Sequence, residues 1–156
     1  MHSVYLLIGS NIQPQKNIQS ALSELEEKCL IKECSGIWKT TAYGSDGPDF
    51  LNIVVKIETE LQPAEIKSQV ITPIETDLKR ERFENKNAPR TIDIDIIIYD
   101  TEVLDSGLWT KFFIAVPVAQ LLPELKNPDS DETLQQIARR MTDQGLASFY
   151  SKCLQD

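Results

Sequence analysis

Histidine is almost absent from this chain, since His2 is the only one among 156 residues. A single histidine makes histidine-based catalytic triads and most zinc chemistries poor explanations of its function. Cysteine is also scarce, since the chain has only Cys29, Cys34 and Cys153. Their number is odd, and their spacing is not that of a zinc site. Reduced thiols in a cytoplasmic protein are the simplest interpretation.

Long apolar runs and an excess of basic charge are missing as well. The formal net charge is -8 and the pI is near 4.7, so nucleic acid and anionic membranes are unexpected partners. No segment is apolar enough over a sufficient length to span a bilayer, and the N-terminus does not resemble a signal peptide. The length and a hydrophobic content of 41% predict one globular domain over residues 1–156, whose oligomeric state the sequence leaves open.

An isoleucine-rich segment carries two carboxylates at alternate positions. The alternation predicts a half-buried strand with Asp93 and Asp95 together on one face. The other face is predicted to carry Ile92, Ile94, Ile96 and Ile98. Two ionised groups one pleat apart repel each other, and Mg²⁺ favours paired Asp oxygens of this kind. The alternative is a strand whose second face simply meets solvent.

The residues before this strand are basic in an otherwise acidic chain. The segment 79–90 carries five basic side chains against two acidic ones. Beside a carboxylate pair, such a segment suits a metal–polyphosphate ligand, because the acids hold the cation and arginines neutralise phosphate oxygens. A solvated basic loop is the alternative interpretation.

Hydrophobic periodicity predicts alternating strands and helices along the chain. Strands are predicted at 4–8, 31–40, 50–61, 90–99 and 112–118. Helices are predicted at 14–28, 63–78 and about 134–141, with one helical turn at 121–125 and a helical end at 146–154. Pro73 predicts a kink or an early break near Thr72. This order of elements favours an α+β fold with helices packed on a mainly antiparallel sheet.

Three motifs, in order along the chain, resemble the 6-hydroxymethyl-7,8-dihydropterin pyrophosphokinase family. They are Ile8-Gly9-Ser10-Asn11 before a helix, Pro48-Asp49-Phe50-Leu51-Asn52 entering a strand, and Pro89-Arg90-Thr91-Ile92-Asp93-Ile94-Asp95. The match runs from Val4 to about Leu125. The resemblance implies a ferredoxin-like fold and a role in folate biosynthesis. It also implies transfer of the terminal diphosphate of ATP, the co-substrate, to the pterin hydroxymethyl group with release of AMP.

The resemblance further implies how the nucleotide is held. Asp93 and Asp95 would ligate two Mg²⁺ ions that bridge the phosphates of ATP. The implied catalytic residues are Arg82, Arg90 and Asp95. The implied ATP-binding residues are Glu75, Arg80, Arg82, Arg90 and Lys111.

The pterin side of the site is also implied by the resemblance. Asn52 would pair with the edge of the ring through its amide, and Phe50 and Phe113 would sandwich the flat ring. The loop whose backbone groups read the pterin would consist of Thr41, Ala42 and Tyr43. The implied partners are therefore small molecules, namely ATP and a hydroxymethyl-dihydropterin.

The chain departs from the family pattern in the late loop, so it resembles an atypical member. The segment 105–111 is short, a Val-Pro-His motif is missing, and Lys111 stands where an arginine is expected. Asn87 and Thr72 replace a tryptophan and a glutamine. One hypothesis is a working pyrophosphokinase with a trimmed lid. The other is a non-catalytic or repurposed pterin- or nucleotide-binding module on the same fold.

Overall fold

An antiparallel sheet forms the centre of the molecule in the computed structural model, which describes residues 1–42, 47–79 and 92–153. Its strands are β1 (His2–Ser10), β2 (Leu30–Cys34), β3 (Ile37–Thr40), β4 (Phe50–Thr59), β5 (Asp93–Tyr99), β6 (Glu102–Val103) and β7 (Ala147–Ser151). The spatial order is β6-β5-β1-β4-β3-β7, and β2 also pairs with β4. The strand β1 therefore lies between β4, which carries Asn52, and β5, which carries Asp93 and Asp95.

The helices cover both faces of this sheet. They are α1 (Pro14–Lys28), α2 (Pro63–Ile66), a π-helical segment (Lys67–Ile71), α3 (Thr72–Lys79), a 3-10 turn (Ser106–Trp109), α4 (Phe112–Leu121) and α5 (Leu134–Asp143). The helices α1 to α3 pack on one face around buried residues such as Ile18, Leu25 and Ile74. The helices α4 and α5 pack on the other face around Leu134 and Ile137. None of the helices in the described ranges has the length and apolar character needed to cross a bilayer.

The helix predicted at 63–78 forms, and it changes conformation where Pro73 led us to expect an irregularity. The π-helical segment ends at Ile71, and the Thr72 N–H donates to the carbonyl oxygen of Lys67. Since proline has no N–H to donate, a wider turn just before it accommodates the residue without ending the helix. The predicted strand at 31–40 is likewise divided, because β2 and β3 are separated by Ser35 and Gly36.

The isoleucine strand β5 contains a bulge that the sequence pattern does not predict. Tyr5 lies opposite Ile98, whereas the next residue, Leu6, lies opposite Ile96, so Ile97 is the extra residue. A bulge reverses the alternation of the side chains that follow it. Ile97 and Ile98 consequently pack on the α4–α5 side, and the prediction that Ile98 shares a face with the earlier isoleucines is wrong.

The segment 112–118, predicted as a strand, is the helix α4. Seven of its ten residues are buried, so the segment lacks the polar stripe that would distinguish a helix from a buried strand. The predicted helical turn at 121–125 is also wrong, because α4 ends at Leu121 and a turn follows.

The prediction of a helical C-terminal end at 146–154 is also wrong, because a strand forms there. The segment expected to be helical forms β7, which pairs with β3 through Ile37 and Ser151, Trp38 and Phe149, and Thr40 and Ala147. The aromatic residues Phe149 and Tyr150 suit a strand better than a helix, and Phe149 packs edge-on against Trp38 with ring centroids 5.4 Å apart. The correct element therefore depends on a partner strand more than one hundred residues away.

Candidate active site

A cavity of about 240 Å³ opens on the α4–α5 side of the sheet, at the ends of its central strands. Its walls are formed by Leu7, Gly9, Thr40, Thr41, Phe50, Asn52, Asp93, Asp95 and Phe113. Six of these nine residues are predicted site residues, the exceptions being Leu7, Gly9 and Thr40. The structure thus brings four of the six predicted pterin residues and both predicted metal ligands to one cavity.

Strand register explains why the polar side chains meet here. Gly9 of β1 lies opposite Asn52 of β4 on one side and opposite Asp93 of β5 on the other. Leu7, two residues earlier and on the same face, lies opposite Asp95. A Cβ at position 9 would lie 2.7 Å from the Asn52 Oδ1 atom, so only glycine leaves room for the amide. Gly9 therefore forms a floor between the amide and the two carboxylates.

The Asn52 side chain is fixed by a threonine that the sequence did not single out. The Asn52 Nδ2 atom donates to the Thr40 Oγ1 atom at 2.7 Å. Both residues are buried, with 3% of Asn52 and 2% of Thr40 exposed. Since this contact assigns the amide nitrogen to Thr40, it sets which way the Asn52 amide faces. No local pattern marks Thr40, because the contact exists only once β3 pairs with β4.

Two phenylalanines supply apolar walls from different layers of the fold. Phe50 is the first residue of β4, and Phe113 lies in the first turn of α4. Phe113 also packs edge-on against Phe112, with ring centroids 5.8 Å apart. Although the element around Phe113 was predicted wrongly, its side chain lines the cavity. Sandwiching of a flat ring by these two residues stays a prediction.

The carboxylate pair lies in an acidic environment. Burial raises the pKa of Asp95, and the neighbouring carboxylates of Asp93, Glu75 and Asp105 raise it further, whereas Lys67 lowers it. Asp95 retains exposure to solvent, yet the protein atoms around it still desolvate its carboxyl group. The site thus holds negative charge that a cation would relieve.

The donor set fits a hard divalent cation. In the described residues (1–42, 47–79, 92–153), no group of three or more His, Cys, Asp or Glu side chains is arranged to hold a metal. Two aspartates suit Mg²⁺, which is commonly held by one or two carboxylates together with waters and substrate phosphates. Asp93 and Asp95, which face one cavity, are the residues that could provide these oxygens.

The remaining predicted residues lie around the cavity or outside the described part of the chain. The Glu75 Oε2 atom accepts a hydrogen bond of 2.9 Å from the Ile94 N–H, between the two aspartates. Lys111 immediately precedes α4, and its chain packs over Gly107 rather than lining the cavity. Ala42 follows Thr41 but is not among the lining residues. The predictions for Tyr43, Arg80, Arg82 and Arg90 lie outside the described residues.

Comparison with known families agrees with this arrangement. The family model for 7,8-dihydro-6-hydroxymethylpterin-pyrophosphokinase (HPPK) matches residues 5–123 of the chain. The chain belongs to this family. The matched range contains every residue that lines the cavity. The antiparallel sheet with its packed helices confirms the α+β fold predicted from the sequence.

Individual members of the HPPK family match over most of the chain. A 2-amino-4-hydroxy-6-hydroxymethyldihydropteridine pyrophosphokinase of Synechocystis is 30% identical over 151 residues, covering 90% of this chain and 76% of that protein. The enzyme of the same name from Aquifex aeolicus is 33% identical over 139 residues, covering 82% of this chain and 85% of that protein.

A solved structure gives independent support for the fold. Wild-type HPPK-DHPS of Plasmodium falciparum, solved with pterin and p-hydroxybenzoate, matches with a TM-score of 0.71. The match covers 95% of this chain but 46% of that one, so this chain spans about half of the larger protein. At 13% identity, the likeness supports the fold of this HPPK member and nothing more specific.

Proposed function

We propose that this HPPK-family chain transfers diphosphate from ATP to the hydroxymethyl group of 6-hydroxymethyl-7,8-dihydropterin, giving the pterin diphosphate and AMP. The observation that carries the proposal is the single cavity in which Asn52 and two aromatic walls lie beside Asp93 and Asp95. Side chains that suit a flat polar ring therefore lie beside carboxylates that suit a metal-bound phosphate, which supports the proposal. The reaction would place this chain in folate biosynthesis. Two relatives, from Dictyostelium discoideum and Schizosaccharomyces pombe, are named folic acid synthesis proteins.

The pterin half of the proposal uses shape and one oriented amide. The rings of Phe50 and Phe113 offer faces or edges against which a planar heterocycle can stack. Asn52, held by Thr40, presents its amide at the edge of such a ring without having to be ordered on binding. These contacts would orient the hydroxymethyl group toward the aspartates, because both sets of residues line the same cavity.

The phosphate half depends on the carboxylate pair. Asp93 and Asp95 would hold Mg²⁺, for which we propose two ions as the resemblance implies. When bound, Mg²⁺ would neutralise charge on phosphate oxygens and favour deprotonation of the attacking hydroxyl. The described site contains no histidine that could act as a general base, since His2 pairs with Asp100 at the other end of β1. Positioning and electrostatics are expected to dominate such a transfer.

The basic side chains complete the proposed nucleotide site. Arg82 and Arg90 are proposed to stabilise charge during the transfer, and Arg80 and Lys111 to contact the triphosphate. Lys111 keeps the positive charge of the expected arginine but lacks its bidentate geometry. Lys111 precedes α4 and is two residues before Phe113, which lines the cavity.

Pterin-dependent formation of AMP is the decisive measurement. The chain is incubated with ATP, Mg²⁺ and 6-hydroxymethyl-7,8-dihydropterin, with pterin omitted in the first control. Asp95→Ala is the inactive variant, and Asp100→Ala is the matched control, because Asp100 follows the end of β5 that lies away from Asp93 and contacts His2. We expect AMP from the wild type and from Asp100→Ala, and none from Asp95→Ala. ATP binding without AMP from folded wild-type protein would instead support the non-catalytic binding module.

A further inference from the structure

We infer that Glu75 is a positioning residue, which holds the backbone of Ile94 and thereby the relative placement of Asp93 and Asp95. The inference rests on the proposed function, because it concerns the residues proposed to hold the cation. It assigns Glu75 a role that does not require contact with the nucleotide.

The hydrogen bond to Glu75 lies between the two aspartates. The Ile94 N–H donates to the Glu75 Oε2 atom at 2.9 Å, although Ile94 lies opposite Ile8 of β1 in the strand register. Since this N–H is used by Glu75, it points away from β1. The backbone groups of adjacent residues in an antiparallel strand point to opposite sides, so those of Asp93 and Asp95 face β1. The strand is thus held from β1 at both aspartates and from α3 between them.

Glu75 is itself held in place. It lies on α3 next to Ile74, which is fully buried in the core, and its own side chain is only 14% exposed. The Lys67 Nζ atom of the π-helical segment lies 3.9 Å from the second carboxylate oxygen, Oε1. The two oxygens of Glu75 therefore have different partners, which limits rotation of the carboxylate.

The acceptor oxygen of Glu75 and its charge can be separated by substitution. The Ile94 N–H needs only an acceptor oxygen, which a neutral amide also provides. Glutamine, whose amide oxygen can accept the same N–H, is therefore the informative replacement.

The expected size of the effect follows from other metal sites. Removing a group that orients metal ligands commonly costs about 10- to 100-fold in metal affinity or activity. Glu75→Ala should accordingly lose about 10- to 100-fold in apparent divalent-cation affinity. The KM for the pterin should stay nearly constant, because Asn52 and Phe50 lie on β4 and Phe113 lies on α4.

The test compares Glu75→Ala and Glu75→Gln with Thr76→Ala, an exposed neighbour on the same helix. Three quantities are measured: hydrogen exchange of the Ile94 amide, Mn²⁺ binding in the presence of a non-hydrolysable ATP analogue, and AMP formation as a function of Mg²⁺ concentration. The first two do not require turnover. We expect Glu75→Gln and Thr76→Ala to resemble the wild type, and Glu75→Ala to lose Ile94 protection and Mn²⁺ affinity together.

Two results would overturn the inference. If Glu75→Ala keeps wild-type Mn²⁺ affinity, the Ile94 hydrogen bond does not position the aspartates. If Glu75→Gln loses as much affinity as Glu75→Ala while the Ile94 amide stays protected, the charge of Glu75 matters and not its acceptor oxygen. Should Glu75→Ala fail to fold, Glu75→Leu, which keeps side-chain bulk but has no acceptor for the Ile94 N–H, takes its place in both comparisons. Absence of pterin-dependent AMP from the wild type would refute the proposed function instead, while the exchange and Mn²⁺ measurements would still report on Glu75.

Discussion

Replacing Thr40 by valine tests whether an oriented Asn52 amide matters for the pterin site. Valine has nearly the shape of threonine but lacks the hydroxyl oxygen that accepts the Asn52 Nδ2 hydrogen bond of 2.7 Å. Because both residues are almost fully buried, the amide would lose its partner without gaining water in exchange. The substitution therefore changes one hydrogen bond while leaving the strand pairing of Thr40 with Phe50 in place.

Two effects of different size are expected from Thr40→Val. A buried donor left without a partner costs about 1–3 kcal/mol, so the free energy of unfolding should fall by about that amount. Ordering the released Asn52 side chain when the pterin binds should cost a further ~0.5–1.5 kcal/mol, which corresponds to a roughly 2- to 12-fold increase in the pterin KM. The KM for ATP should be nearly unchanged, because Asp93 and Asp95, which are proposed to hold the cation, lie on β5.

Urea unfolding and steady-state kinetics measure these two quantities on the same protein. Thr40→Ser is the matched control, since serine retains the hydroxyl and should keep most of the pterin affinity. The reasoning is refuted if Thr40→Val has wild-type stability and a wild-type pterin KM. It is also refuted if Thr40→Ser, which keeps the hydroxyl, raises the pterin KM as much as Thr40→Val, because loss of the hydroxyl would then not account for the effect.

Three further predictions concern charge, thiol reactivity and packing. Because the folded-state pKa of Asp95 is raised, its ionisation costs stability once the pH exceeds the ordinary Asp pKa, so Asp95→Asn should raise Tm at neutral pH without Mg²⁺. This difference should vanish in acid, and a lower Tm for Asp95→Asn at neutral pH would contradict it. Burial and the contact with Cys153 raise the pKa of Cys34, so alkylation mapped by mass spectrometry should be much slower in native than in unfolded protein; equal rates would exclude this. A Cβ at Gly36 would collide with the Phe149 ring and lie 3.1 Å from the Ser151 carbonyl oxygen, so Gly36→Ala should lower the unfolding free energy by about 1–3 kcal/mol, and Phe149→Leu should partly rescue it; a neutral Gly36→Ala would show that the exposed Phe149 ring moves aside at no cost.

The sequence predicts the site best where the chemistry is local. Asp93 and Asp95 stand out because a strand alternation places two charges on one face, and this pattern needs only seven residues. Asn52 is conspicuous as an amide within an apolar strand. The long helix α1 is predicted with its observed bounds, because its buried residues recur at helical spacing.

The errors occur where partners distant in sequence decide the outcome. Thr40 belongs to the site only through its hydrogen bond to Asn52 across two strands. The bulge at Ile97 depends on the register with β1, which alternation within β5 cannot reveal. The helix α4 is buried on nearly all sides, so its apolar run carries neither a helical nor a strand period.

Because β1 lies between β4 and β5, the cavity forms only when all three strands are paired. Gly9 lies between Asn52 and Asp93 in the strand register, although Asn52 follows Gly9 by 43 residues along the chain and Asp93 follows Asn52 by a further 41. Contacts of such high sequence separation form late and are lost together when the sheet opens. A bound ligand that touches both β4 and β5 should therefore stabilise the whole sheet by mass action rather than one loop. Slowed hydrogen exchange along β1 would then be the clearest sign that a ligand is bound. The strand β1 itself contributes only Leu7 and Gly9 to the lining of the cavity.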